Sequence, residues 1–320
     1  MMVLRRFFRG FPNWVGVLIL AAFILTALFA PLLASLSVPS SQTETNSAPP
    51  KSILLNALPQ PPSREHPLGT LPRSVDILQQ LVWGSRQALE FSLKAGIISA
   101  VIGVLLGATS AYLGGWASSL VMRLADGMLA IPVITGIVMI TQVQQVLLTR
   151  IPLAASGSST GSDLQAQYHA AMLHILSFDA TLWAIVLVSW ISYARILHAM
   201  VISLKNSDYI QAARATGAST GRIVLRHLIP NAISPAVVLL ARDLGWVVIL
   251  QASLQFAGFG GGESVWGGVL LQSRNWIIGA GGNPFVYGWV WLPATLALVL
   301  YGVGWNLVGD GLNDALNPRG

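Results

Sequence analysis

The chain has 320 residues, of which 54% are apolar and 9% are charged, and its formal net charge is +6. Soluble domains carry about a quarter charged residues, so this composition excludes an ordinary soluble protein and favours a membrane protein with room for about six spans. The basic residues flank apolar runs, which indicates orientation in a bilayer rather than a nucleic-acid partner. The chain has no cysteine, which excludes disulfides, thiol catalysis and cysteine-ligated zinc.

Six apolar runs predict six transmembrane helices, of which the first is an N-terminal anchor. They cover residues 14–36, 91–113, 127–147, 180–197, 233–256 and 287–308. We expect the fourth helix to continue past Arg195 and His198. The first run is too long for the apolar region of a cleaved signal peptide, and no small-residue cleavage site follows it. We therefore interpret it as an anchor that stays in the protein.

Positive charge is distributed unequally between the two sides of the predicted membrane. One side would hold Arg5, Arg6, Arg9, Arg123, Arg195, Lys205, Arg214, Arg222, Arg226 and Arg319. The other would hold Lys51, Arg64, Arg73, Arg86, Arg150 and Arg274. Because loops rich in lysine and arginine stay in the cytoplasm, this distribution of ten against six predicts that both termini and the segment 207–231 are cytoplasmic.

Two long segments connect the predicted helices on the outer side. Residues 1–37 form the basic N-terminus and anchor, and residues 38–87 form an extracytoplasmic linker whose many prolines favour an extended chain. A core of residues 88–320 follows. Its outer loop contains a flexible Gly/Ser stretch at 156–162 and a short amphipathic piece at 164–176.

The segment 207–231, SDYIQAARATGASTGRIVLRHLIPN, is polar and rich in arginine although it lies between two apolar runs. It predicts two short helices with a break at Gly217. Ser219 is placed to cap the second helix, and Pro230 is expected to end it. The segment should therefore form a compact helix-turn-helix knob on the membrane surface, and we call it the knob below.

This pattern resembles the cytoplasmic loop of ABC-importer permease subunits, E-A-A-x3-G-x9-I-x-L-P in form. The resemblance implies that the knob, within a coupling loop at 205–231, docks on an ATPase subunit and passes its motion to the membrane helices. The matching positions are Gln211, Ala212, Ala213, Gly217, Ser219, His227, Ile229 and Pro230. Gln211 replaces the usual glutamate, so any ion pair of that carboxylate is absent.

The likeness is to the peptide/nickel branch of the family, and it covers residues 66–320 strongly and 1–37 weakly. It rests on the stretch HPLGT from His66, on YLGGW from Tyr112 with Arg123, Asp126 and Pro132, on SLQFAGFG from Ser253, and on GDGLNDALNP from Gly309. Several charges usual in the family are missing, since Ser118, Gln251, Asn313 and Asn317 stand in their places.

The resemblance implies an all-α polytopic protein of the bacterial inner membrane, with the anchor helix and a five-helix core similar to the methionine-importer permease type. It would form half of a pore with a second permease subunit. Two cytoplasmic ATPase subunits, which bind ATP and Mg²⁺, and an extracytoplasmic solute-binding protein are the other implied partners. The implied substrate is a di- or oligopeptide, with nickel complexes or other solutes as the alternative. No cofactor is expected on this chain.

Three features inside the predicted spans need a physical explanation. Gly103 and Gly107 form a GxxxG pattern, which predicts close approach of a neighbouring helix. Arg123 and Asp126, three residues apart, are placed to pair along one helix face. The adjacent pair 242–243, an arginine and an aspartate, lies within the fifth span, and since adjacent residues point about 100° apart at least one needs another partner.

For Arg242 and Asp243, both a lining role in the translocation path and a buried structural network remain open.

Two other classes of protein are alternatives to a permease. Residues 217–221 satisfy G-x-S-x-G, and Ser219 would be the nucleophile of an intramembrane serine hydrolase, but that motif needs a strand before the serine. A secondary transporter would need repeated halves or ionisable residues in several spans. The chain lacks a phosphate-binding loop for ATP, and its isolated histidines predict no metal site.

Overall fold

The computed structural model describes residues 7–8, 10–36, 58–72, 75–156, 178–259, 265–279 and 282–316. The helices are α1 Phe11–Leu36, α2 Ile77–Leu113, α3 Gly115–Leu129, α4 Val133–Ser156, α5 Ala180–Leu204, α6 Asp208–Ala215, α8 Ser234–Phe256, α9 Val265–Ile278 and α10 Gly288–Leu316. Between α6 and α8, helix α7 runs through Thr220–Arg222, Ile223–Leu228 and Ile229–Ala232. The protein is thus an all-α polytopic membrane protein, and the strands of its described part, β1 Thr70–Leu71 and β2 Val75–Asp76, form one short antiparallel pair.

Five of the described helices, α1, α2, α5, α8 and α10, are long and apolar enough to cross a membrane. The predicted span at 127–147 is wrong as one straight helix, because α3 and α4 meet there at an angle of 84°. The N–H groups of Ala130 and Ile131 turn back to carbonyls three residues earlier, and Pro132 has no N–H with which to continue the helix. The two helices together count as a sixth span only if the bent pair crosses as one.

The other helices cover the predicted spans to within one residue and extend beyond several of them. Helix α2 begins at Ile77 rather than at residue 91, and α10 continues to Leu316. The early start of α2 has a local cause, since the Asp76 carboxylate accepts a hydrogen bond from the N–H of Gln79 at 3.1 Å and caps the helix. His66 holds that carboxylate from the other side at 2.8 Å. The predicted continuation of α5 past Arg195 and His198 is confirmed.

Several sequence predictions fall outside the described residues. These are the three N-terminal arginines, residues 38–57 and 73–74 of the linker, the Gly/Ser stretch after Ser156 and the amphipathic piece at 164–176.

The chain forms two compact units, and the division falls within α2 and α8. The first unit comprises residues 1–93, 238–258 and 263–320. In it α1 packs along α10, where a Cβ atom on Gly16 would lie 2.7 Å from the Leu307 Cβ. Its core contains the buried rings of Trp266 and Tyr301, and the Tyr301 hydroxyl bonds the Ser92 hydroxyl at 2.7 Å.

The second unit comprises residues 94–237 and 259–262, and in it α2 packs closely on α5. A Cβ atom on Gly103 would lie 2.6 Å from the Tyr193 Cβ, and one on Gly107 would lie 2.8 Å from the Ala194 Cα. Both distances are shorter than side chains tolerate, so the two backbones touch only because these positions are glycine. The close approach predicted from the GxxxG pattern is confirmed.

We expect Gly107→Ala to destabilise the protein, because the added methyl group has no room against the α5 backbone. Overpacking of this kind costs about 1–3 kcal/mol. Gly127→Ala is the matched control, since a Cβ atom there meets nothing within 4 Å. Heating each variant in detergent and measuring the loss of monodisperse protein should show a lower midpoint for Gly107→Ala only. Equal midpoints for the two variants would contradict this packing.

Candidate functional site

The first helix of the knob, α6, begins and ends with local signals in its own sequence. The carbonyl of Ser207 accepts the N–H groups of Ile210 and Gln211, and Asp208 in the first turn and Arg214 in the last turn match the helix dipole. The eight-residue helix that results is short, so its stability depends on what packs against it.

The turn after α6 is the bend predicted at Gly217. Its φ of 79° is positive, a conformation that other residues rarely adopt. The N–H of Gly217 donates to the carbonyl of Arg214 at 2.9 Å, and the N–H of Ala218 donates to the carbonyl of Ala213 at 3.1 Å. This pair of bonds is the Schellman motif, which satisfies the last carbonyls of a helix. The predicted break between two short helices is confirmed.

Ser219 caps the helix that follows, as the sequence predicted. Its Oγ accepts a hydrogen bond from the N–H of Arg222 at 3.4 Å, and its own carbonyl accepts from Ile223. A nucleophile elbow requires a strand immediately before the serine. Here the residues before Ser219 are a helix and its closing turn, so the G-x-S-x-G match does not create a hydrolase geometry.

The expectation that Pro230 ends the second helix is wrong. Helix α7 continues through Pro230 because the preceding turn, Ile223–Leu228, is a π-helix. There the N–H of Ile229 donates five residues back, to the carbonyl of Val224, and this wider turn relieves the clash of the proline ring with the carbonyl four residues earlier. The Asn231 side chain then donates to the His227 carbonyl at 2.6 Å and supports the helix end.

A small apolar core holds the two knob helices together. Ile210 of α6 and Ile223, Val224 and Leu228 of α7 are all buried to 1% exposure or less. Burying such a side chain contributes roughly 1.5–3 kcal/mol, which offsets part of the entropic cost of ordering two short helices. The knob therefore has a fixed shape of its own.

An open hollow of about 350 Å³ lies on the surface of the knob. Its lining comprises Tyr209, Ala212, Ala213, Thr216, Ala218, Arg222 and His227. Its alanines carry no long side chain, Arg222 adds a positive charge, and Tyr209, Thr216 and His227 add polar groups. The shape and chemistry suit a protruding side chain of a partner protein.

The hollow brings together only some of the predicted coupling residues. Ala212, Ala213 and His227 line it, whereas Gln211 points away and donates to the Asn206 carbonyl at 2.9 Å. Gly217, Ser219, Ile229 and Pro230 shape the backbone instead. Four lining residues were missed: Tyr209, Thr216, Ala218 and Arg222. Two of them carried a signal, because Tyr209, Ala212, Ala213 and Thr216 repeat at the i, i+3, i+4, i+7 spacing of one helix face.

Two basic side chains attach the knob region to the C-terminal end of α2. The guanidinium of Arg214 lies 5.0 Å from the ring centre of Tyr112 and donates from Nε to its hydroxyl at 3.2 Å. The ammonium of Lys205 reaches the Ala111 carbonyl at 3.4 Å, one of the last carbonyls of the helix. Cations at a helix C-terminus are favourable, so both contacts stabilise this attachment.

Helix α3 is tied to α5 just before the knob. The Ser118 hydroxyl bonds the Nε2 atom of His198 at 2.7 Å, and Arg195 pairs with Asp126. Among the described residues Asp126 therefore pairs with Arg195 of α5 rather than with Arg123, and the predicted pair along α3 is wrong. The reason is tertiary, because α3 packs on α5 along the face that carries Ala125, which is fully buried.

Arg242, one of the two charged residues within α8, has its partner on α10. Arg242 donates from Nη2 to the Asp310 carboxylate at 2.5 Å, and both side chains are about half exposed, at 50% and 55%. Gly309 makes room for the arginine stem, since a Cβ atom there would lie 2.9 Å from its Cγ. The need for a further partner is thus met for Arg242. A lining role for Arg242 and Asp243 in the translocation path stays a prediction.

The membrane-spanning helices define a polytopic membrane protein, and the family match shows which class it belongs to. Residues 100–319 match the family of binding-protein-dependent transport system inner membrane components, and the chain belongs to that family. It is therefore a multi-pass inner-membrane permease subunit of an ABC importer, which works with ATPase subunits and a binding protein and does not itself catalyse a reaction.

Curated relatives match nearly the whole chain. It is 33% identical over 307 residues to a dipeptide transport system permease protein, DppC of Alkalihalophilus pseudofirmus, with 95% of this chain and 85% of the relative covered. It is 28% identical over 309 residues to an oligopeptide transport system permease protein, OppC of Bacillus subtilis, with 95% and 85% covered. A glutathione transport system permease protein, GsiD of Pectobacterium atrosepticum, is 31% identical over 264 residues, with 81% and 74% covered.

The role of the Arg242–Asp310 pair can be tested by measuring how much of the subunit accumulates in the membrane. Arg242→Leu leaves the Asp310 carboxylate without its partner and should reduce the amount of subunit in the membrane, because an uncompensated charge near the bilayer is costly. Arg242→Leu combined with Asp310→Asn removes both charges and should restore most of it. Asp243→Asn, which keeps volume and hydrogen bonding, should be tolerated better than Arg242→Leu. Full accumulation and full transport by Arg242→Leu alone would remove the pair from any functional explanation.

Proposed function

We propose that this chain forms half of the translocation pore of an ATP-driven importer for di- or oligopeptides. The observation that carries the proposal is the match along 95% of its length to permeases of dipeptide and oligopeptide systems. Nickel complexes and other solutes remain the alternative substrates. A permease meets its substrate only in passing, so the solute-binding protein would supply most of the selectivity.

In the proposed assembly, the pore is completed by a second, related permease subunit. Two ATPase subunits bind ATP and Mg²⁺ on the cytoplasmic side, and the solute-binding protein delivers substrate from the outside. Both termini and the knob would face the cytoplasm, in agreement with the excess of basic residues on that side. The knob would then lie on the same side as the ATPase subunits.

The knob is proposed to be the surface on which an ATPase subunit docks. Three observations support this role. Its core of buried Ile210, Ile223, Val224 and Leu228 makes it a fixed body, its hollow exposes a floor of alanines, and α5 leads into it after only a few residues. A displacement of the knob would be transmitted directly to α5, and through Arg214 and Lys205 to the C-terminal end of α2.

The substrate class can be tested in a strain that depends on this importer. A strain lacking the gene should fail to grow when a required amino acid is given as a dipeptide, and should grow on the free amino acid. The gene on a plasmid should restore growth on the dipeptide. Unchanged dipeptide growth, together with loss of nickel-dependent enzyme activity in the deletion strain, would favour the nickel alternative.

Gly217→Val tests the knob as the coupling element. Valine resists the positive φ of this turn at a cost of roughly 1–2 kcal/mol, so the angle between the two knob helices should change. We expect the assembled complex to lose most of the ATP hydrolysis that the loaded binding protein stimulates.

The matched control for this test is Gly221→Val. A Cβ atom meets nothing within 4 Å at either glycine, but only Gly217 has a positive φ. Gly221→Val should retain stimulated hydrolysis. Normal stimulation in Gly217→Val would contradict the coupling role.

The proposed orientation can be tested by labelling, because the chain has no cysteine of its own. A membrane-impermeant thiol reagent added to intact spheroplasts should label Glu65→Cys and should leave Thr220→Cys unlabelled until the membrane is opened. Both positions are exposed, so access alone does not distinguish them. Reversed labelling would show that the charge distribution had misled us.

A further inference from the structure

The turn before α10 presents large apolar side chains away from the protein. Phe285 is 94% exposed and Val286 is 53% exposed, and Ile278 at the end of α9 is 65% exposed. All three belong to the first unit, and the apolar packing of that unit does not cover them. Phe285 and Val286 are adjacent, and neighbouring exposed apolar side chains mark a surface for another phase or another protein.

Hydrogen bonds to Asn283 hold this turn, so the exposure of Phe285 follows from the fold. The Asn283 carboxamide oxygen accepts the N–H groups of Phe285 at 3.0 Å and Val286 at 3.2 Å. The Asn283 carbonyl accepts the N–H of Tyr287 at 3.0 Å. An asparagine that bonds the next residues in this way fixes a tight turn. Phe285 is thereby kept at its tip.

Aromatic residues surround the base of this turn. Trp276 packs on Tyr287 with ring centres 5.0 Å apart, and Tyr287 packs on Trp289 at 5.6 Å. The Trp291 indole N–H donates to the Pro284 carbonyl at 3.0 Å. Tryptophan and tyrosine concentrate at the boundary between lipid and water, where one end of each ring is apolar and the other is polar.

The length of α10 places this cluster at that boundary. The sequence has no charged residue between Arg274 and Asp310. About 20 helical residues cross the hydrocarbon layer, and counting back that number from Asp310 reaches Val290. Trp289 and Trp291 then lie at the far edge of the layer. Because Trp291 bonds Pro284, the turn is folded back to the same depth.

We propose that Phe285, Val286 and Ile278 insert into the lipid at this boundary and anchor the end of α10 in the headgroup region. Lipid fits this surface better than a protein partner does. The depth of the turn is that of the interfacial aromatic residues, at which exposed apolar side chains meet the headgroup region. The inference depends on α10 spanning the membrane and is independent of the transported substrate.

A fluorescence experiment tests this anchor in the assembled complex. Phe285→Cys is labelled with an environment-sensitive dye and reconstituted in vesicles of phosphatidylethanolamine and phosphatidylglycerol. Glu65→Cys, an exposed polar position of the same unit, is the control. A quencher attached near the top of the lipid acyl chain should quench the dye at position 285 at least twofold more than the dye at position 65. Aqueous iodide should show the opposite order.

Equal quenching by iodide at both positions would overturn the proposal. So would shielding of position 285 from iodide only after the solute-binding protein is added, since the surface would then belong to a protein. Val286→Cys is measured in parallel and must give the same order as Phe285→Cys, so poor folding of one variant does not decide the outcome. Transport need not be active for any of these readings.

Discussion

The close contact between α2 and α5 at Gly103 and Gly107 is the packing constraint on which the second unit depends most directly. Without side chains at these positions the two backbones approach closely, and Tyr193 and Ala194 of α5 fill the space beside them. Membrane helices gain little from burying apolar groups against each other, so close van der Waals packing must hold them together. Helix α5 also binds α3 through the ion pair of Arg195 with Asp126, and it leads into the knob. The position of α5 therefore fixes where α3 and the knob lie.

The second helix of the knob contains a proline that is incompatible with a regular α-helix. Pro230 opposes the α-helical geometry that the buried Ile223, Val224 and Leu228 require to face α6. The π-helical turn resolves this by widening the helix before the proline, and it keeps all three residues on the inner face. Such turns occur often at functional sites, and this one lies beside the hollow that we assign to the ATPase subunit.

The sequence predicted much of the fold because membrane spans and helix ends depend on local patterns. The spans, the bend at Gly217 and the cap at Ser219 were all visible in this way, since each follows from hydropathy or from backbone chemistry. Tertiary packing decided what the sequence did not show. Asp126 pairs with Arg195, which is distant in the sequence, rather than with its neighbour Arg123. The bend at Pro132 divides one apolar run into two helices. The hollow was only partly predictable, because Ala218 and Arg222 come from beyond the turn.

The central claim is that an ATPase subunit occupies the hollow of the knob, and a photocrosslink tests it most directly. A photoreactive amino acid is placed at Thr216, which lines the hollow and is exposed, and a second variant carries it at Glu65 as the control. Illumination of the whole importer in membranes should join the Thr216 variant to an ATPase subunit and should not do so for Glu65. Absence of that product from a transport-competent complex, or a product with the binding protein instead, would contradict the account.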